Sequence, residues 1–368
     1  MALPNSNKFP GIPLPVPPVH YFAWLRRLPP AAQRRHDLLL SGMGPEDAAV
    51  LAERAGALGP EAFADLAWQA RDRIEQPLAE LLRLPRAQVR CASAATGALY
   101  LAFRALLAPG MRVALEEPAY EPLWVVPESL GAQVVFYRRS LADGRVLDPL
   151  PDADLYVASH THNPTGFPLA PADLEALCAA ARRRKCKLLL AAAYLLFLEE
   201  DGLPRPLPPE LVLTGSLTKT LGLSPLRLGF VACGDPGFAE ALQQAYELVE
   251  IYPPTAASEI ALRVAFDGSL LRRARAHAAA LQPLWRRCAA ALPRGFAFDP
   301  PPAGVHALIR LPAGTDDAAA CAAAQRHGVY VVPGSLFRAP GSIRIGCGRP
   351  LAEVAAALDV LTAVLRQL

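Results

Sequence analysis

Ser216-Leu217-Thr218-Lys219-Thr220-Leu221-Gly222 follows the apolar run Leu211 to Thr214 and precedes Leu226-Arg227-Leu228-Gly229, which sets an arginine eight residues beyond the lysine. A short apolar run bounded by such a turn reads as a buried strand, and the lysine falls at its carboxyl end. An amine in that position can form a Schiff base with an aldehyde cofactor and, once a substrate amine displaces it, move protons. Ser216 and Arg227 then supply phosphate contacts, the arginine through a bidentate charge-assisted pair.

Working outward, similar apolar runs occupy Arg112 to Leu115, Gln133 to Tyr137, Ala153 to Ser159, Lys187 to Ala193 and Gly229 to Cys233. A helix follows Thr96, and an amphipathic segment spans Pro171 to Arg184. This alternation predicts a mostly parallel sheet with helices on its faces. Beyond residue 250 the texture changes to long Ala/Arg/Leu helices, Glu259 to Phe266 and Leu270 to Leu292. An α+β pattern closes the chain: strand Val305 to Ile309, helix Asp316 to His327, strands Val329 to Val332 and Ser342 to Cys347, helix Leu351 to Leu365. The expected division is residues 1–55 as an N-terminal arm and part of a small domain, 56–255 as a large domain, and 256–368 as an interdomain helix with the small C-terminal domain.

His162-Asn163-Pro164-Thr165-Gly166 comes directly after the run ending at Ser159. Asn-Pro and Thr-Gly are turn formers, and the carboxyl end of a strand is where open α/β sheets place ligands. An asparagine amide there can donate to a phenolate oxygen.

Asn-Pro-Thr-Gly and Ser-x-x-Lys-x-x-Gly followed by Arg-x-Gly, in this order and with 56 residues from Asn163 to Lys219, resemble the class I/II aminotransferases of fold type I from about residue 35 to the C-terminus. The resemblance implies an α/β fold, a large domain with a mostly parallel central sheet plus a smaller α+β C-terminal domain. It implies pyridoxal 5'-phosphate as cofactor, bound through Lys219. By the same likeness Ala94, Ala95 and Thr96 in Ser93-Ala94-Ala95-Thr96-Gly97 form the phosphate loop at a helix start. Tyr120 stacks on the pyridine, and Asn163 and Tyr194 serve the phenolate oxygen. Arg344 in Ser342-Ile343-Arg344-Ile345 grips the substrate α-carboxylate, near Asn163 and Gly42. An α-amino acid substrate and a homodimer follow from the family, and the scattered cysteines suit a cytoplasmic enzyme.

The pattern breaks at Ala191. The family places an aspartate three residues before the tyrosine matched to Tyr194, where it pairs with the pyridine nitrogen and keeps the ring an effective electron sink. Here the stretch is Ala191-Ala192-Ala193-Tyr194. Ala94 stands where glycine is common, and the partner subunit's usual tyrosine-glycine segment is not recognisable around residues 55–62. Three readings follow. His160, His162 or a water serves the ring nitrogen; or the chemistry is elimination, decarboxylation or cyclisation rather than transamination; or the protein binds without catalysis. Joint retention of Lys219, Arg227, Asn163, Tyr194 and Arg344 favours an enzyme.

Composition excludes other classes. The 37 basic and 34 acidic residues give a net charge of +3, with no footprint for nucleic acid. The longest apolar runs fall short of the roughly 20 residues of a membrane span, and the prolines of MALPNSNKFPGIPLPVPP oppose an export signal and suit an arm. Seven scattered cysteines without Cys-x-x-Cys fit reduced thiols. Ser216-x-x-Lys219 also fits an acyl-enzyme serine-lysine pair, but the accompanying Ser-Asp-Asn and Lys-Thr-Gly elements do not occur. His160 and His162 alternate as metal ligands do, without a third ligand at recognisable spacing, so no metal is expected. Neither nucleotide-binding glycine motif occurs.

Overall fold

Seven strands form one sheet in the computed structural model, which describes residues 17–44, 48–60, 67–251 and 253–368. Their spatial order is Val89–Ser93, Leu228–Cys233, Leu211–Ser216, Lys187–Ala191, Leu155–Ser159, Arg112–Glu117 and Gln133–Arg138. The five from Leu211–Ser216 to Gln133–Arg138 are mutually parallel, and Leu228–Cys233 alone runs against both its neighbours. Chain length explains the reversal. A parallel return needs a crossover of a dozen or more residues, usually a helix. Residues 217–227 instead make one helical turn at Leu217–Thr220, a 3-10 turn at Ser224–Leu226 and a left-handed residue at Arg227, φ 52°.

Leu155–Ser159, Leu211–Ser216 and Leu228–Cys233 are buried at every position. Helices cover both sheet faces, which is why these strands read as unbroken apolar runs. One face carries Ala94–Leu106 and Pro236–Val249 in a single core, and the other carries Ala67–Leu82, Pro171–Arg184 and Thr255–Val264. The arm expected over residues 1–18 lies outside the described residues as far as residue 16, as do residues 61 and 62 of the segment around 55–62.

The second sheet joins Ala297–Phe298, His306–Arg310, Ser342–Cys347 and Val332–Pro333, all antiparallel, with Leu39–Leu40 added parallel to Ser342–Cys347. The run Val329 to Val332, expected as one strand, divides at Val331 because it serves two sheets. Val329–Tyr330 pairs with His36–Asp37, and Val332–Pro333 pairs with Ser342–Cys347. The helix Ser269–Ala291 starts in the core of the large sheet at Leu270 and continues into the core of the small one from Ala274 to Cys288. It is a beam between the two. Pairing of Leu39–Leu40 with Ser342–Cys347 carries Ser41 and Arg344 to the carboxyl edge of the large sheet, where the functional residues lie.

Candidate active site

The loops leaving Val89–Ser93, Arg112–Glu117, Leu155–Ser159, Lys187–Ala191 and Leu211–Ser216 open onto one cavity of about 220 Å³. This is the position expected for a ligand in an open parallel sheet. Lys219 lies in its wall. Burial lowers the Lys219 amine below the usual lysine range, with Arg344 and Arg227 acting in the same direction and Tyr21 against it. A neutral amine is what nucleophilic attack on a carbonyl carbon requires. Lys219 Nζ donates to Ser41 Oγ at 3.2 Å, and Tyr194 Oη donates to the same oxygen at 2.9 Å.

Asn163 and Tyr194 both line the cavity. The Asn163 side chain makes no hydrogen bond among the described residues, and its Oδ1 is buried without a partner. A polar side chain left so is paired only when something else enters the cavity. Tyr120 lines another wall and meets the rings of Tyr21 and Phe22 edge to face, at 5.8 Å and 6.4 Å between centroids.

Ala191 ends its strand between Ser159 and Thr214 of the adjacent strands and lines the cavity without any polar group to offer. The expectation that His160 or His162 substitutes for the carboxylate is not met. His160 Nε2 donates to the Asp201 carbonyl at 2.8 Å and its Nδ1 accepts from Leu169 N–H at 3.0 Å. His162 is bonded at Nδ1 to Thr165 Oγ1 (2.7 Å) and at Nε2 to the Pro118 carbonyl (2.8 Å). Both rings are spent on holding loops, and burial pushes both far toward the neutral form, His160 to about 4. The described residues include no group of His, Cys, Asp and Glu able to hold a metal ion.

The anion-binding features divide into two. At one end Ala94, Ala95 and Thr96 begin the helix Ala94–Leu106 and line the cavity; its N-cap Ser93 makes no side-chain cap and gives its own N–H to the Glu250 carboxylate at 3.1 Å, while the first-turn N–H groups and the helix dipole favour an anion on the cavity side. Ala94 holds this turn at φ 58°, a conformation costing a non-glycine residue roughly 1–2 kcal/mol. Arg227 lines the cavity and makes no ion pair among the described residues. Ser216 does not itself line the cavity. Its hydroxyl accepts from Thr218 N–H at 2.9 Å and donates to the Leu228 carbonyl at 3.3 Å, capping its own turn, and it is Thr218 that lines the cavity. At the other end stands Arg344, buried, with Nη2 donating to the Leu39 carbonyl at 2.8 Å and Nε unpartnered. Gly42 is not in the lining either. A Cβ there would fall 2.8 Å from the Lys219 Cα and carbonyl oxygen, so glycine permits the close crossing that lets Met43 N–H reach that carbonyl at 2.7 Å.

Sequence reasoning passes over Tyr21, Phe22, Leu25, Ser41 and Thr161, which line the cavity, and His306, whose ring lies 4.3 Å from that of Tyr194. Ser41 had a readable signal, as neighbour of the singled-out Gly42. The others carry none.

A half-buried lysine sharing one cavity with a helix N-terminus and two arginines, at the carboxyl edge of a mostly parallel sheet, suits a phosphorylated aldehyde and a carboxylate-bearing amine. The sequence matches the family Aminotransferase class I and II over residues 47–361, and the chain belongs to that family, whose members depend on pyridoxal phosphate. Histidinol-phosphate aminotransferase 2 of Ralstonia nicotianae is 28% identical over 299 residues, covering 77% of this chain and 76% of that protein. The histidinol-phosphate aminotransferase of Chlorobium luteolum is 30% identical over 173 residues, 44% of this chain and 47% of that protein, so the match spans about half its length. A PLP-dependent aminotransferase from Streptococcus suis has a TM-score of 0.80 at 20% identity, covering 96% of this chain and 98% of that one. A PLP-dependent cyclase has a TM-score of 0.78 at 24% identity, with coverages of 97% and 99%. At these identities the two structures establish the fold.

The residues present fit the cofactor. A lysine amine held below its usual range, the start of the helix Ala94–Leu106, Arg227 and the unpartnered Asn163 amide lie around one cavity. Two departures line the cavity: Ala94, held at φ 58° where glycine is common, and Ala191, which offers no charged group to a ring nitrogen.

Proposed function

We propose that this protein is a pyridoxal-phosphate enzyme acting on a small α-amino acid, and that Lys219 is its catalytic residue. The observation that carries the reading is the pairing, in one cavity, of a lysine amine kept below its usual pKa with Arg344, a buried cation that has no carboxylate among the described residues. Pyridoxal phosphate, held through Lys219, supplies an electron sink for the pair released at the substrate α-carbon.

The chain's own groups do the rest. Thr96, the first-turn amides of Ala94–Leu106 and Arg227 hold the phosphate, with the hydroxyls of Thr218, which lines the cavity, and Ser216, 2.6 Å from it, on the same side. Asn163 and Tyr194 donate to the phenolate oxygen, and Tyr120 stacks on the ring. Arg344 fixes the α-carboxylate by a charge-assisted pair, and Lys219, released by the incoming amine, carries the proton at the α-carbon. With Ala191 where a carboxylate is expected and no acidic residue in the described lining, a second reading gains support: chemistry needing less carbanion stabilisation, namely elimination, decarboxylation or cyclisation in a specialised pathway.

A homodimer is part of the reading. Tyr100, Leu248 and Val249 are exposed on two helices packed together, Ala94–Leu106 and the end of Pro236–Val249, with exposed Ile251 just beyond the second, and such apolar exposure favours a subunit contact. Seven free cysteines suit a cytoplasmic location, and no described helix is long and apolar enough to cross a membrane. The test is the absorption spectrum of the purified protein with and without amino acids, repeated on Lys219→Ala, with mass spectrometry after borohydride reduction. A visible band, changed in the variant and reduced onto Lys219, is the expected result. A colourless protein that takes up no added cofactor would overturn the reading.

A further inference from the structure

The roof of the cavity comes from a segment that carries no motif. His20–Leu25 is a short helix hung on Glu121, a residue only 3% exposed. The Glu121 carboxylate accepts from the His20 N–H at 2.8 Å, the Tyr21 N–H at 2.5 Å and His20 Nδ1 at 2.9 Å. Because Glu121 follows Tyr120 directly, the roof is tied to the loop that forms one wall.

From this helix Tyr21, Phe22 and Leu25 line the cavity. Tyr21 meets Tyr120 edge to face and Phe337 at a tilt, at 5.8 Å and 5.7 Å between centroids. It also touches Arg344: its hydroxyl accepts from Nη2 at 3.4 Å, and the guanidinium carbon lies 5.9 Å from its ring centre. The apolar wall therefore begins at the residue that takes the α-carboxylate, and a substrate held there directs its side chain along Tyr21, Phe22 and Leu25.

Charge settles which side chains suit that wall. The described lining holds Lys219, Arg227 and Arg344 as its cations and no aspartate or glutamate. With Lys219 and Arg227 given to the cofactor and Arg344 to the α-carboxylate, no cation among the described lining residues remains for a second acidic group. A side-chain carboxylate or phosphate against this wall loses hydration without gaining a counter-charge, whereas an apolar side chain gains by burial. We infer that the enzyme selects α-amino acids with an apolar or aromatic side chain, and that His20–Leu25 is the element that selects them; this rests on the reading of the site proposed above.

The test titrates the cofactor-loaded enzyme with leucine, phenylalanine, aspartate and glutamate and follows the cofactor's absorption. Leucine or phenylalanine should bind at least about tenfold more tightly than either dicarboxylate. Phe22→Ala and Leu25→Ala should each weaken binding of the preferred amino acid about tenfold while leaving that of glutamate unchanged, and Leu25→Arg should strengthen glutamate. Phe22→Leu, closer in volume, stands in if the alanine variant loses its fold by circular dichroism. Aspartate or glutamate binding as tightly as the apolar amino acids, or selectivity that survives both truncations, overturns the inference while leaving the site's reading intact. A loaded enzyme whose absorption responds to no amino acid of either class overturns that reading and the inference together.

Discussion

Lys219 Nζ donates to the hydroxyl of Ser41 at 3.2 Å, joining residues 178 positions apart in sequence. The same oxygen accepts from Tyr194 Oη at 2.9 Å, so Ser41 stands between the amine and the phenol that flank the expected reaction centre. On the reading proposed above, this contact would hold the lysine in reach of the α-carbon once the substrate amine frees it. Ser41→Ala should slow exchange of the substrate α-proton about five- to tenfold, the worth of one hydrogen bond, with cofactor and substrate affinity unchanged. Proton exchange followed by NMR in heavy water, beside spectral titration, measures the split; a loss confined to affinity would sink the role, and Ser41→Thr should restore the rate.

Arg344 meets the Leu39 carbonyl and the Tyr21 hydroxyl but no carboxylate among the described residues. Burying a guanidinium this way is costly unless an anion completes it. Arg344→Lys keeps the charge and loses the planar fork, and should weaken amino acid binding by about 10–100-fold while the cofactor band stays. Amines lacking the carboxylate should bind the two proteins equally. Equal loss for both ligand types would point to general disruption.

Pro171–Arg184 is legible end to end because proline at its first turn and three arginines in its last mark both limits. Val89–Ser93 is not, since Arg90 interrupts its short apolar pattern and its partner strand lies far along the chain. Pro236–Val249 does carry a start signal, Asp235 accepting from Gly237 N–H, but its face of mixed glutamines and glutamate hides the rest. In the site, Asn163, Tyr194 and Lys219 are legible because each occupies the turn that leaves a strand. Ser41 is brought in by the pairing of Leu39–Leu40 with Ser342–Cys347 and Tyr21 by the hold of Glu121 on His20 and Tyr21 N–H, contacts no local spacing encodes. The alternation of His160 and His162 misleads, for their ring nitrogens serve backbone and loop partners.

Stability should fall in acid through the buried histidines. Burial, with Arg344 second, pushes His306 down to about 3, and burial pushes His160 down to about 4, each from 6.5. Their folded pKa values lie below the unfolded ones, so their contribution is complete above pH 6.5 and is lost as pH falls toward 4 and 3. Each group gives about 1.4 kcal/mol per pH unit inside its window. Urea unfolding at pH 7, 6 and 5 should show the decline, and His306→Gln, which can still donate to the His162 carbonyl, should lessen it. An unchanged slope in that variant would exclude His306 as a source.

Glu116 and Arg139 form an ion pair with both side chains fully buried, Oε2 to Nη1 2.6 Å. The pair clamps Ser159, whose N–H donates to Glu116 Oε1 at 2.7 Å and whose carbonyl accepts from Arg139 Nη1 at 2.9 Å. Asn163 follows four residues later. Arg139→Met leaves a buried carboxylate unpaired and should cost about 3–5 kcal/mol, much of which the double variant with Glu116→Leu should recover. A thermal-denaturation double-mutant cycle measures this, and additive losses would contradict it.

Ala191 offers the most informative substitution. It lies at the end of Lys187–Ala191, half-buried, with its strand neighbours Ser159 and Thr214 also in the cavity lining. A carboxylate introduced there replaces a methyl group at a position already bordering open space, so the fold should accept it. Paired with the ring nitrogen, it would hold that nitrogen protonated and strengthen the electron sink. Preorganised charge of this kind is worth about 10²–10³ in rate. Ala191→Asp should therefore raise α-proton exchange and amino transfer on the enzyme's preferred amino acid by about 100-fold, and raise the affinity for pyridoxal phosphate. If the natural reaction is elimination, decarboxylation or cyclisation, the same substitution should divert part of the flux to amino transfer, seen as keto acid among the products. Cofactor bound with normal affinity and no gain in amino transfer would show that Ala191 is not what sets the reaction, and that the electron sink draws on another group in the cavity.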